Sequence, residues 1–333
     1  MTDLAGPLIR SIRHACDAEV LLQRDNCWAL DGLWAATPSL SLLPRRATTK
    51  DVYDMHSHTA PPPPASSPRL HSPPPNASLR RLIVSDLHGD WPNLRALLHA
   101  VGALDENNER VQGWWLAQVG DIVHGGTRTY HDTQCLTDVL RWFDLVVWGN
   151  HDLPHACPHA TFPRFAGMGD LLPQTATLLE EAVADARFCA AGMVDEWLVT
   201  HAGVHPAFQE ELGWPETAAA CAMIINDRFR ARLAGGERAA LFDAVGYARM
   251  GNHPHGGIFW QDWGHLVDSS EENRLHQIVG HTPRPNPPER AGERLWCVDA
   301  GAALSGKVCA LLRPSADVAW QPIVHRGVHL LAR

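Results

Sequence analysis

The sequence predicts a layered α/β fold, and three observations predict it. Short apolar runs alternate along the chain with segments of helical spacing. Five of those runs are followed at once by a small polar motif, as at the ends of strands. The 333 residues are 45% hydrophobic and 20% charged, a balance that supports a sizeable core.

The elements follow in order. Residues 1–56 read as a helical N-terminal extension, because Leu8, Ile12, Cys16 and Val20 fall four apart. Residues 57–79 read as a proline-rich linker, with Pro61 to Pro64, Pro68 and Pro73 to Pro75. The main domain spans 80–333. Leu82-Ile83-Val84 is a buried strand. Pro92, Leu94, Leu97, Leu98 and Val101 then give a helix, with proline in its first turn and Asp90 placed to cap it. Trp115 to Val119 is the next strand, Cys135 to Trp142 a helix, and Leu145 to Trp148 a third strand. The Ala/Leu-rich stretch 165–195 and the stretch 207–250 read as helical. Further strands are expected at Trp197 to Thr200, Gln277 to Val279 and Leu295 to Val298. Trp114, Trp115, Trp142 and Trp148 read as core.

Composition excludes several functions. The net charge of −9 and the absence of a Lys/Arg run argue against nucleic-acid binding. The eight cysteines are scattered, with no C-x-x-C pair, which suits free thiols in a reducing cytoplasm. No apolar stretch reaches membrane-spanning length. The expectation is a soluble, cytoplasmic protein.

The chemistry lies in the five motifs: Ser85-Asp86-Leu87-His88-Gly89-Asp90, Gly120-Asp121, Gly149-Asn150-His151-Asp152, Thr200-His201-Ala202-Gly203 and Gly280-His281-Thr282. Strand ends can bring such side chains to one point. Asp86 and His88, two apart, can face one side. Asp121 has two oxygens and is the candidate to bridge two cations. Asn150 offers a neutral carbonyl oxygen. His201 and His281 offer imidazoles. His151 is the spare histidine, able to protonate a leaving alkoxide or to bind a phosphoryl oxygen. Two Asp, one Asn and three His form the inventory of a two-metal hydrolytic centre for phosphate esters. Oxygen and nitrogen donors without thiolate suit Mn²⁺, Fe, Zn²⁺ or Co²⁺.

With these motifs in order, residues 80–313 resemble the calcineurin-like metallophosphoesterases. Within that family they look most like the branch of phosphoprotein phosphatases and bacterial symmetrical dinucleoside-tetraphosphate hydrolases. Val298-Asp299-Ala300-Gly301 followed by Ser305-Gly306-Lys307-Val308 is similar to the family's closing strand-turn-strand. The resemblance implies an αββα sandwich of two mixed β-sheets flanked by helices. It implies one metal on Asp86, His88 and Asp121, a second on Asp121, Asn150, His201 and His281, and His151 as general acid. It implies direct attack by a metal-bridging hydroxide, with two divalent ions, Mn²⁺ first among them. One departure stands out. The family's phosphate-gripping Arg after Gly-Asp, and the Asp before it, are replaced by Ile122-Val123-His124-Gly125-Gly126. His124 and Arg128 are candidate replacements, beside Asn150, for contact with substrate.

The expected substrate is a phosphorylated small molecule, nucleotide or phosphoprotein. Phosphomonoester hydrolysis leads, and symmetrical dinucleoside-polyphosphate hydrolysis is the alternative, in which Trp260 or Trp263 could stack a base. A catalytically weak metal- or phosphate-binding module is the more distant reading.

Overall fold

The computed structural model describes residues 79–124, 129–164, 168–185 and 187–326. The expected N-terminal extension, the linker apart from Leu79, and Arg128 lie outside the described residues.

Strand β1 (Arg80–Val84) lies at the middle of the first sheet. Parallel to it run β2 (Trp114–Gln118), β3 (Leu145–Val147) and β4 (Phe188–Cys189). A second sheet holds β5 (Ala191–Val194), β6 (Trp197–Thr200), β7 (His276–Val279), β8 (Glu289–Ala291) and β9 (Leu295–Cys297) in the order β5-β6-β7-β9-β8. Its three central strands are parallel and both edges antiparallel. The chain then returns to the first sheet, where β10 (Lys307–Arg313) pairs antiparallel with β1 and β11 (Gln321–Arg326) pairs with β10. Both sheets are therefore mixed.

Alternation sets the layers. Ile83, Trp115, Ala117, Leu145 and Val147 face Val194, Trp197, Val199, Ile278 and Trp296 between the sheets. The intervening Leu82, Val84, Leu116 and Val146 point the other way, into a cluster with helices α1 (Trp91–Ala100) and α2 (Thr129–Trp142). Strands β1, β2 and β3 of the first sheet are buried on both faces, which is why they read as apolar runs. The long helix Ala218–Leu233 covers the second sheet at β5 and β6. This is the αββα arrangement.

Most elements fall where the sequence places them. Trp114, Trp115, Trp142 and Trp148 are core. The stretch 165–195 departs from expectation: its helix covers only Pro173–Ala182, and β4 and β5 follow. The physical reason is the change of sheet at Ala190. Asn226 accepts from Ala190 N and Ala191 N and donates to Ala191 O, so the backbone there is satisfied without a helix. Strand β11 also goes beyond the expected set. The stretch 207–250 is helical in pieces, Pro206–Glu211, Ala218–Leu233 and Ala240–Asp243, with a 3₁₀ turn at Tyr247–Arg249. The six described cysteines are free. No helix among the described residues is long and apolar enough to cross a membrane.

Candidate metal centre

The ends of β1, β2 and β3 in one sheet and β6 and β7 in the other meet at one place. There Asp86, His88, Asp121, Asn150, His201 and His281 converge, all of them buried. One oxygen marks the middle. Asp121 Oδ2 lies 3.6 Å from His88 Nε2 and 3.5 Å from His201 Nε2. Asp86, His88 and Asp121 form one group of donors within 4.8 Å of each other, and Asp121, His201 and His281 form another. His201 Nε2 also lies 2.8 Å from Asn150 Oδ1 and 3.1 Å from His281 Nδ1.

The backbone is bent to achieve this. His88, Asp121 and His281 all have positive φ, at 45°, 56° and 68°. Each such residue costs about 1–3 kcal/mol and persists where its surroundings over-determine it. Asp and His are among the residue types that tolerate this region best. Glycines open the space. A Cβ at Gly149 would collide with Asp121 N and Oδ1, and one at Gly280 with Asp86 Oδ1.

Buried side chains fix the loops. Gln118 donates to Gly120 O at 2.6 Å and accepts from Gly120 N at 2.7 Å, closing the turn before Asp121. In the other sheet Gln277 accepts from Val204 N at 2.8 Å and donates to Val204 O at 3.1 Å, holding the loop after His201. Asp152 does more. Its two oxygens accept from Asp121 N, Ile122 N, Val123 N and Gly149 N, at 2.9 to 3.1 Å. It thereby ties the Asp121 loop to the Asn150 loop. Burial pushes its carboxyl up to about 6 against the pull of those donors. Sequence reasoning passed over Asp152 as a site residue, although it ends the Gly-Asn-His-Asp motif.

A cation fits this donor set. Asp86 Oδ1 and His281 Nε2 are sealed from solvent with no hydrogen-bond partner. Asp86 Oδ2 accepts from His281 N at 2.9 Å, and Asp121 Oδ1 accepts from His151 N at 2.8 Å, so each carboxylate keeps one oxygen for the centre. Burial first, then neighbouring carboxylates, hold Asp86 and Asp121 well above the usual carboxylate range. Asp299, buried nearby, is pushed up to about 6 by burial. Burial lowers His201 to about 3 and His281 well below its ordinary value. His201 Nδ1 donates to Val119 O at 3.0 Å, which leaves the Nε2 lone pair facing the other donors. Carboxylates starved of counter-charge beside imidazoles kept neutral are the environment that a divalent ion relieves.

Around this core lie three more groups. His151 stands 4.6 Å from the His88 ring, ring centre to ring centre. Burial, then the His124 imidazole, lowers it to about 3. The His124 ring stacks on His151 at 5.6 Å and 14°. Arg249, missed in the sequence, reaches in from the 3₁₀ turn. It donates to Thr282 Oγ1 at 2.7 Å, pairs with Asp262 at 3.5 Å, and its charge adds to burial in lowering His281 while offsetting a part of the rise in Asp121. No local pattern around Arg249 could have announced it, because folding alone brings that turn to the motif ends. Trp260 lies edge-on to His281 at 5.8 Å. A separate cleft of about 500 Å³, lined by His205, Trp214, His255 and His265 among others, contains none of the converging residues.

The family pattern of the calcineurin-like phosphoesterases matches residues 79–305, which include every one of the converging residues. The chain belongs to that family. Family members are metal-dependent phosphoester hydrolases, and the chain is an enzyme of that kind. No curated protein sequence matches it. Among solved structures, a candidate diadenosine tetraphosphatase is 18% identical over 77% of this chain and 96% of its own, with a TM-score of 0.43. A cold-active protein-tyrosine phosphatase of a psychrophilic Shewanella is 17% identical over 70% and 75%, with a TM-score of 0.44. A protein serine/threonine phosphatase from Saccharomyces cerevisiae is 14% identical over 77% and 82%, with a TM-score of 0.43.

Proposed function

We propose that the protein hydrolyses phosphate monoesters at a centre of two divalent ions, Mn²⁺ first among them. The carrying observation is Asp121 Oδ2, set between an imidazole of each donor group, 3.6 Å from His88 and 3.5 Å from His201. That is the place for a carboxylate shared by two ions. Asp86, His88 and Asp121 would hold one, and Asp121, Asn150, His201 and His281 the other. Bound there, two ions would lower the pKa of water and neutralise phosphoryl oxygens.

The protein's own groups supply the rest. Arg249, anchored by Thr282 and Asp262, supplies the positive charge that the missing family Arg would bring, aimed at a phosphoryl oxygen. His151 is held neutral by burial and by His124. The negative charge of an arriving phosphoryl group draws it toward protonation, and its proton then passes to the leaving alkoxide. Trp260 is 8% and Trp263 2% exposed, and the Trp263 Nε1 donates to Glu289. Neither offers an open face for a base, which favours monoesters over dinucleoside polyphosphates.

The test is hydrolysis of p-nitrophenyl phosphate by metal-stripped protein with and without Mn²⁺, followed by phosphopeptides and dinucleoside tetraphosphates. Metal-dependent release of phosphate from monoesters is expected. Turnover of dinucleoside tetraphosphates alone, giving two nucleoside diphosphates, would replace this reading. Tight metal binding without any turnover would leave a binding module.

A further inference from the structure

His88 has two faces. Its Nε2 looks inward to Asp121 Oδ2, while its Nδ1 looks outward to His124 Nδ1 at 3.4 Å. His151 completes the outer group: one ring nitrogen from each of His88, His124 and His151 lies within 4.8 Å of the others. The His88 ring stands at 82° to His124 and 84° to His151, nearly perpendicular to two nearly parallel rings.

We infer that His88, His124 and His151 form an additional, inhibitory binding site for Zn²⁺ or a similarly nitrogen-preferring ion. The inference rests on the dinuclear phosphoesterase reading for its consequence, though not for its geometry. Three imidazoles with one open position make a familiar zinc set. A tetrahedral ion with Zn–N of roughly 2.0–2.1 Å spaces its donors about 3.4 Å apart. The His88–His124 pair already has that spacing, 3.4 Å. The two inner groups contain Asp86 and Asp121, whereas this outer group offers nitrogen alone. Mn²⁺ and Mg²⁺ prefer oxygen donors, so the outer site discriminates against the ions that suit the inner one.

Its occupancy has a cost for catalysis. The ion takes the lone pair of His151, the group proposed to protonate the leaving oxygen. It also takes His88 Nδ1, whose proton is released to solvent, so that the His88 ring bridges two ions. The site exists because His124 stands in the loop after Gly120-Asp121.

The experiment counts metal in full-length protein, stripped and then equilibrated with Zn²⁺ or with Mn²⁺. Wild type should retain about three zinc ions per chain but about two manganese ions. His124→Gln and His151→Gln should each retain about two zinc ions. Using two variants keeps the test decisive should one fold poorly. Two zinc ions in wild type, or three in both variants, would overturn the outer site while leaving the dinuclear centre standing. Fewer than two in wild type would instead overturn the dinuclear reading. A second readout follows manganese-loaded enzyme titrated with Zn²⁺. The half-inhibiting concentration should rise at least about tenfold in His124→Gln relative to that variant's own uninhibited rate, in line with the loss of one imidazole ligand.

Discussion

The two sheets contribute unequally to the centre. The first brings both carboxylates, the Asn150 amide and His88, from the ends of β1, β2 and β3. The second brings imidazoles alone, His201 and His281, from the ends of β6 and β7. Their supports differ in kind. Asp152 gathers four backbone N–H groups from two loops of the first sheet. In the second sheet the neutral Gln277 amide holds the backbone of one residue, Val204, and donates to the Asn273 side chain. The comparison teaches that the charge sits on one sheet, and that the other supplies neutral donors that complete the set.

The largest expected break comes from Asp121→Asn. It removes the shared oxygen's charge, and kcat/KM should fall on the order of 10³-fold, the scale of losing one preorganised electrostatic contact. Circular dichroism should stay unchanged. Activity within tenfold of wild type would remove Asp121 from its central place.

Next in size is the contrast between Asp152→Ala and Gln277→Ala. Asp152→Ala strands four donors and lets two loops drift, so metal affinity should fall about 10–100-fold, as for other groups that orient ligands. Gln277→Ala should lose less, because it frees one residue's backbone and touches no carboxylate-bearing loop. Isothermal titration with Mn²⁺ measures both, and a greater loss in Gln277→Ala would invert the comparison.

Arg249→Gln should raise KM for p-nitrophenyl phosphate and the Ki of inorganic phosphate by about tenfold, the value of one charge-assisted contact, with a smaller change in kcat. An unchanged Ki would show that Arg249 does not meet the anion.

Smallest, but sharpest for the comparison, is the proton count. Burial, then neighbouring carboxylates, raise Asp86 and Asp121, so the metal-free protein holds protons on this sheet more tightly than free carboxylates do, and a cation must displace them. His201, at about 3, and His281, also lowered, carry no extra proton at mildly acidic pH. Metal uptake should therefore release protons, with release shrinking and affinity rising as pH increases. Titrations in buffers of different ionisation enthalpy measure this. Proton uptake, or a release that survives Asp86→Asn unchanged, would place the titrating groups elsewhere.

The residues that converge were legible in the sequence because each follows an apolar strand, and a strand end is a fixed address. The roles of these residues as ligands rest on the proposal above. What escaped was nonlocal. The left-handed backbone at His88, Asp121 and His281 leaves no trace in residue type beyond neighbouring glycines. Asp152 resembles any turn aspartate until its four donors are seen. Arg249 acts through a turn far from every motif. The stretch 165–195 misleads because its alanines and leucines read as helix throughout, whereas the leucines end at Leu179 and the two short strands that follow carry Phe188, Met193 and Val194.

Asp152 carries one more consequence. The amides of Asp121, Ile122, Val123 and Gly149 share a single acceptor. In hydrogen-exchange terms they belong to one cooperative opening unit, not to two separately fraying loops. An opening that exposes the Asp121 loop should release the Asn150 loop with it, so these two parts of the candidate centre are kept or lost together.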